Sequence, residues 1–290
     1  MANASTDITL SRGIKPNLRA KIERDLDVLD GLKFKTATPE ALKLMDVSTL
    51  NAQSAGKWLG VRVNYVIEED ALSIVKLLLK RAIFVEKKGV TYPNQDILPY
   101  SIDPLNGANA EGEGFTVMSN IGAGLYMGGK KENVVYGMKV SRGVLRPTIK
   151  VVVESPRAGI IQIGEGLFVK DLTVNTQNQD ALANTLNRLA TFFHEARHSD
   201  GNGSSLGFAH SLCPAGHDYE GQAACDESLN GPYTVGAVMM SEMIKTCDDN
   251  CSERDKEILK MIEIDSASRI MKTTKKGTPA TEWDATPESL

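Results

Sequence analysis

The 290-residue sequence predicts an α+β protein, with a mixed β-sheet packed on one long helix and a disulfide-stapled helical part after it. Three observations carry that expectation. Short β-branched runs bounded by turn residues fill the middle of the chain, a long amphipathic stretch follows at 176–201, and all four cysteines fall in the last third. With 41% apolar and 24% charged residues, the composition is that of a globular chain with a sizeable core. One domain is expected over 1–275, made of an α+β part (1–175), the long helix (176–201) and a Cys- and His-rich helical part (202–275). The polar stretch 276–290 is expected to be a poorly ordered tail.

From the N-terminus, "NLRAKIERDLDVLDGL" sets Leu18, Ile22, Leu26 and Leu29 at helical spacing, with Gly31 as a stop. "TPEALKLMDV" predicts a second helix, capped by Thr38 and carrying Pro39 in its first turn. "KWLGVRVNYVI" alternates through Val61, Val63 and Tyr65 and reads as a strand. "EEDALSIVKLLLKRAIFV" reads as a helix, with acids first, bases later and a stripe of Leu72, Val75, Leu79, Ala82 and Ile83.

Residues 93–133 are rich in Gly, Pro and Asn and read as loops. The glycines of "NIGAGLYMGGKKEN" match neither the dinucleotide fingerprint nor the P-loop, so turn chemistry is expected of them. "VVYGMKV", "TIKVVVES" and "GIIQIGEGLFV" are expected strands. In the long helix, Thr176 and Gln179 have capping-box spacing, Leu182, Leu186, Leu189 and Phe193 form the buried stripe, and Gly201 ends it. Two more helices follow in "NGPYTVGAVMMSEMIKTC" and "SERDKEILKMIEIDSASRIM", the second opened by Ser252 with Asp255 three residues on. Trp58 and Trp283 are read as packing anchors.

Charge and hydropathy exclude some partners. The net charge is −4 and the basic residues are scattered, with short pairs at Lys87–Lys88, Lys130–Lys131 and Lys275–Lys276, so no nucleic acid is expected to bind. No apolar run reaches eighteen residues, so no integral membrane segment is expected. Cys213, Cys225, Cys247 and Cys251 lack the CxxC spacing of a zinc knuckle and suit two disulfides, which form in oxidising compartments. The opening "MANASTDITLSRG" has no apolar core of a leader, so a secreted or periplasmic protein without its leader is expected.

The long helix ends in "HEARHSD". On a helix, residues four apart point the same way, so His194 and His198 can direct two imidazoles at one ion. Glu195 is rotated by about 100° from His194, which lets it reach a water at the metal without ligating. Zn2+ acidifies that water, Glu195 takes its proton as general base, and an amide carbonyl is attacked. With four histidines in the chain, chance produces such a pattern in roughly one chain in several hundred. The other two histidines, His210 and His217, also lie within twenty residues of His198, a clustering that packing does not explain. Catalytic zinc takes three protein ligands. His210 is expected as the third, with His217, Asp226 and Glu227 as alternatives. Tyr233 is expected to donate to a developing oxyanion, with Tyr219 as a second candidate. Arg197 is expected to pair with Asp200 or another acid, and Asp200 could support a ligating imidazole.

With these residues the segment resembles the zincin metallopeptidases, whose signature is HExxH. The resemblance implies a zincin-like fold, His194 and His198 as ligands and Glu195 as base. It also implies that "GIIQIGEGLFV" is the edge strand that holds an extended substrate. The metzincin continuation is matched at Gly201, but Ser204 stands where its third histidine would be. The thermolysin-like branch would take a later glutamate, Glu227 or Glu242. Residues 194–233 are also similar to secreted bacterial proteins that share "HEARHSD" followed by a Cys-rich "CP…CD…GPY" segment, which implies export.

The expected function is therefore a zinc-dependent hydrolase, a secreted or periplasmic metallopeptidase acting on a peptide, protein or cell-wall peptide. The alternative is a non-catalytic, metal-stabilised binding or structural protein of the cell envelope. A closed site of four histidines would mark the second, and a three-ligand site with Glu195 beside it the first.

Overall fold

The computed structural model describes residues 8–63, 65–68, 118–120, 134–136, 150–152, 160–168, 181–200, 210–226, 229–247 and 250–271. Several expectations lie outside these residues: the helix at 68–85 beyond Glu68, which is in a strand, the three lysine pairs, the Thr176–Gln179 box, Gly201, Ser204, Glu227, Trp283 and the 276–290 tail.

The N-terminal part contributes β1 (Thr9–Leu10), α1 (Pro16–Gly31), α2 (Pro39–Met45) and α3 (Ala52–Arg62). As expected, α1 buries Leu18, Ile22, Leu26 and Leu29, and the Thr38 side chain caps α2 by accepting from Ala41 N. The expected strand over Lys57–Ile67 is corrected in its first part: Lys57 to Arg62 are the end of α3. Its cause lies upstream, where Asn51 and Ser54 form a capping box that starts a helix. The buried Ala55, Trp58 and Leu59 then follow a helical period. Extended chain begins only at β2 (Tyr65–Glu68).

The sheet is mixed, in the order β1-β2-β6-β3, with β3 at Met118–Asn120 and β6 at Ile160–Ile163. Strand β6 (Ile160–Ile163) runs parallel to β2, with Tyr65 opposite Ile160. On its other side β3 (Met118–Asn120) runs antiparallel, with Met118 opposite Ile163. Two expectations change here. "GIIQIGEGLFV" supplies an interior strand followed by a 3-10 turn at Glu165–Phe168, and the edges among the described residues are β1 and β3. That strand arises inside the Gly-rich stretch read as loop, where Met118–Asn120 pair with a β-branched partner. The expected runs at 134–140 and 148–155 form a separate antiparallel pair, β4 (Val134–Tyr136) with β5 (Lys150–Val152).

The long helix is α4 (Leu182–Arg197), beginning after Ala181 and so later than the expected box. It is buried well beyond the expected stripe: Phe192 and Phe193 are both fully buried, and so are Leu186, Leu189 and Ala196. The reason is that α4 packs against elements on several sides, namely α1, α3, β3, α5 (Pro232–Ile244) and α6 (Glu253–Ser268). Trp58 closes one flank, its ring 5.7 Å from that of Phe193. The methionines of α5 (Met239, Met240, Met243) enter the same core. Helix α6 opens with the expected Ser252–Asp255 capping box. The cysteines form two disulfides, Cys213–Cys225 and Cys247–Cys251, the second closing the corner between α5 and α6. The first spans β7 (Ser211–Leu212) and β8 (Ala223–Cys225). No described helix is long and apolar enough to cross a membrane.

A charge is buried where α1 meets α4. Arg188 donates through Nε and Nη2 to the two oxygens of Asp25, the second bond measuring 2.7 Å, and Thr185 Oγ1 donates to Oδ1 at 3.1 Å. Asp25 is 0% and Arg188 1% exposed. Burial raises the Asp25 carboxyl above its usual range, and the guanidinium offsets that only in part. Desolvating two ions is costly, so the pair is best read as fixing how α4 lies on α1, and breaking one side leaves an uncompensated charge. Arg188→Met should therefore lose about 3–5 kcal/mol in urea unfolding, and Asp25→Leu added to it should recover most of that loss.

Candidate metal centre

His194 and Glu195 sit on the last turn of α4, and His198 follows at its C-cap with helical backbone angles (φ −60°, ψ −18°). The helix therefore continues through the pattern and sets the two imidazoles on one side, as the spacing predicts. The turn is held from outside. Asp200 Oδ2 accepts from Arg62 Nε at 2.8 Å and from Arg197 Nη1 at 2.7 Å, which ties the helix end to α3. Arg197 also donates to the Asn230 carbonyl at 2.8 Å, and Arg62 stacks 3.9 Å above the Trp58 ring. The expected Arg197–Asp200 pair is thus present.

His210, just before β7, brings the third imidazole. Its Nε2 lies 3.1 Å from Nε2 of His194 and 3.2 Å from Nε2 of His198. Two nitrogens bound at ~2.0–2.1 Å to one ion, ~100° apart, have this separation. The other face of His210 decides its tautomer. Nδ1 lies 3.0 Å from Asp226 Oδ1, and a carboxylate only accepts, so Nδ1 carries the proton and Nε2 presents a lone pair. Three imidazoles turned inward with a carboxylate behind one of them are a donor set that can hold a metal ion. Burial, the His210 and His198 rings and Arg269 keep His194 well below the ordinary histidine range, hence neutral as a ligand must be.

Asp226 is therefore placed behind the third ligand. Its Oδ2 accepts from Tyr233 N at 2.7 Å, capping α5 where the cap residue Gly231 has no side chain to do so. Gly231 is required there: a Cβ on it would stand 2.2 Å from Asp226 Oδ2. The main chain of Asp226 is tied to the end of α6, donating to Arg269 O at 2.9 Å and accepting from Met271 N at 2.8 Å.

Glu195 is nearly buried, with Oε1 3.9 Å from His194 Nε2. It lies beside the centre without joining the three converging nitrogens. The Tyr233 ring closes another side, its centroid 4.5 Å from that of His194 and 4.7 Å from that of His210. Its hydroxyl accepts from Arg269 Nη1 at 2.8 Å. Burial pushes this phenol up to about 12, with Arg269 pulling it down and Glu195 and Asp226 adding to the rise. Tyr233 therefore keeps its proton at neutral pH. Among the predicted site residues, His194, Glu195, His198, His210 and Tyr233 are together.

The remaining candidates go elsewhere. His217 accepts from Tyr219 N through Nδ1 and donates to Ser268 O through Nε2, each at 3.0 Å. Both its ring nitrogens are engaged, so the closed four-histidine site is not assembled. The same engagement argues against a second metal group of Cys213, His217 and Cys225, whose two sulfurs are already joined as a disulfide. Tyr219 gives its hydroxyl to Asp265 at 2.9 Å, and Glu242 accepts from Thr38 and Lys245. Arg269 is the site residue that the sequence reading missed. It lies 36 residues beyond its partner Tyr233, at the end of α6, and no local pattern marks it.

No protein-family model, curated protein or solved structure matches the chain.

Two outcomes follow from that geometry. Gly231→Ala must displace the Asp226 carboxylate, so zinc affinity, measured by competition with a chelating dye, should fall about 10–100-fold with all three histidines intact. His194 is held below its unfolded value, so the unfolded chain binds the extra proton. The melting temperature of metal-free protein should therefore drop as pH falls below about 6.5, and the slope should flatten in His194→Gln.

Proposed function

We propose that this protein is a zinc-dependent hydrolase, a secreted or periplasmic metallopeptidase of zincin type. The observation that carries the reading is the convergence of His194, His198 and His210 within hydrogen-bonding distance, with Glu195 adjacent and no fourth side-chain ligand among the described residues. Catalytic zinc uses three protein ligands, whereas structural zinc uses four. A site that served only to brace the fold has no need of an acid in Glu195's place.

Zinc in this site would supply Lewis acidity to a carbonyl oxygen and acidify a water. The protein's own groups account for the proton transfers. Glu195 takes the proton of the attacking water at Oε and delivers it to the leaving nitrogen. Tyr233, which keeps its proton, donates to the carbonyl oxygen as negative charge develops there. Asp226 holds His210 in the ligating tautomer throughout.

Two further observations bear on substrate and setting. Of the sheet's two edges among the described residues, β1 and β3, it is β3 that packs on α4, running antiparallel to β6. An extended peptide can add to such an edge through main-chain hydrogen bonds, which favours a peptide, protein or cell-wall peptide as substrate. Two disulfides, one of them flanking His210 and Asp226, suit an oxidising compartment.

The test pairs metal content with turnover. Purified protein should retain zinc by elemental analysis and cleave members of a quenched-fluorescent peptide mixture, and 1,10-phenanthroline should stop it. Glu195→Gln should keep the zinc and lower kcat/KM by about 10²–10⁴-fold. Full cleavage by that variant, or wild-type protein that holds no zinc, rejects the proposal.

A further inference from the structure

We infer that Arg269 is a positioning residue for this reaction, its guanidinium fixing the Tyr233 phenol as a hydrogen-bond donor beside the three imidazoles. The inference rests on the hydrolase reading and adds to it a residue from outside the metal-binding segment.

A phenol can donate or accept, and its hydrogen rotates to suit its surroundings. Here the accepting role is filled. Arg269 Nη1 donates to the Tyr233 oxygen at 2.8 Å. The phenol's own hydrogen has no acceptor among the described residues and is left for a ligand. A charged donor on the oxygen also polarises the O–H bond and strengthens it as a donor.

The guanidinium is itself held rigidly. It stacks 3.6 Å over the Tyr219 ring, and Nη2 donates to Asp265 Oδ2 at 2.7 Å. Asp265 is anchored in turn by the Tyr219 hydroxyl at 2.9 Å. The Arg269 carbonyl accepts from Asp226 N at 2.9 Å, so the residue that orients His210 also anchors the main chain of the residue that orients Tyr233. Ligand and donor are thus set against one another by a single connected framework, within reach of both His194 and His210.

The experiment uses the full chain loaded with zinc and acetohydroxamate as probe, an oxygen ligand for the metal whose carbonyl can accept from the phenol. Affinity is measured by calorimetry for wild type, Tyr233→Phe, Arg269→Met, Arg269→Lys and the Tyr233→Phe/Arg269→Met double variant. Zinc content and melting are recorded alongside. Each single loss should weaken the probe by about 10-fold, and the double variant by about the same factor, because both remove one hydrogen bond. Arg269→Lys should recover part of the loss.

Independent losses that multiply to about 100-fold in the double variant overturn the inference. So does unchanged probe affinity in Arg269→Met. Wild-type protein that holds zinc yet ignores acetohydroxamate overturns the hydrolase reading, and this inference with it. If Arg269→Met does not fold, Asp265→Asn gives the same comparison, since that side chain is 45% exposed and serves as the guanidinium's other anchor. It should weaken the probe in the wild-type background and leave Tyr233→Phe unmoved. Equal weakening in both backgrounds rejects the inference.

Discussion

The carboxylate of Asp226 is the constraint on which the candidate metal centre depends. One oxygen orients His210, the other caps α5 at Tyr233, and its main chain is pinned to the last turn of α6. Three separate pieces of chain meet at a buried carboxylate that holds the His210 ring through one oxygen and the Tyr233 main chain through the other. The close approach is possible because Gly231 leaves room that any other residue would fill. A negative charge at the start of α5 is also where the helix dipole favours it. The two oxygens thus link the metal-facing tautomer of His210 to the entry of α5.

Helix α4 is fixed by other means. It is packed on several sides by apolar residues, and polar ties set its rotation and its end. Arg188 and Asp25 meet in the core, and Asp200 gathers Arg62 and Arg197 at the far end. Apolar packing is non-directional and tolerates small rotations, whereas a bidentate guanidinium–carboxylate pair does not. A rotation of one residue step would swing His194 and His198 out of line with His210. The buried charges are costly in stability, and a defined helix angle is what that cost secures.

Much of this was legible in the sequence where the signal was local. The HEARH spacing marked two converging imidazoles and the acid between them. Clustering of the histidines pointed to His210, and the cysteine count pointed to two disulfides. Capping chemistry located α2 and α6. What was missed depended on distance or on competition between local patterns. Lys57 to Tyr65 satisfies both an alternating and a helical period, and the Asn51–Ser54 box settles it toward the helix. Strand β3 has only three residues and owes its form to its partner β6. Asp226 was a candidate ligand, and its position one shell further out depends on where His210 folds back. Arg269 belongs to a helix whose own pattern says nothing about the metal site.

The Cys213–Cys225 bridge has a consequence for the order in which the cage is built. It joins two short strands at the point where His210 precedes one and Asp226 follows the other. Closing a loop of this length removes about 3 kcal/mol of chain entropy from the unfolded ensemble. The histidine and its carboxylate are therefore held as neighbours by the covalent chain itself. On the metal-binding reading, an ion then needs only the braced end of α4 to meet a hook already bent to shape, which lowers the ordering cost of capture.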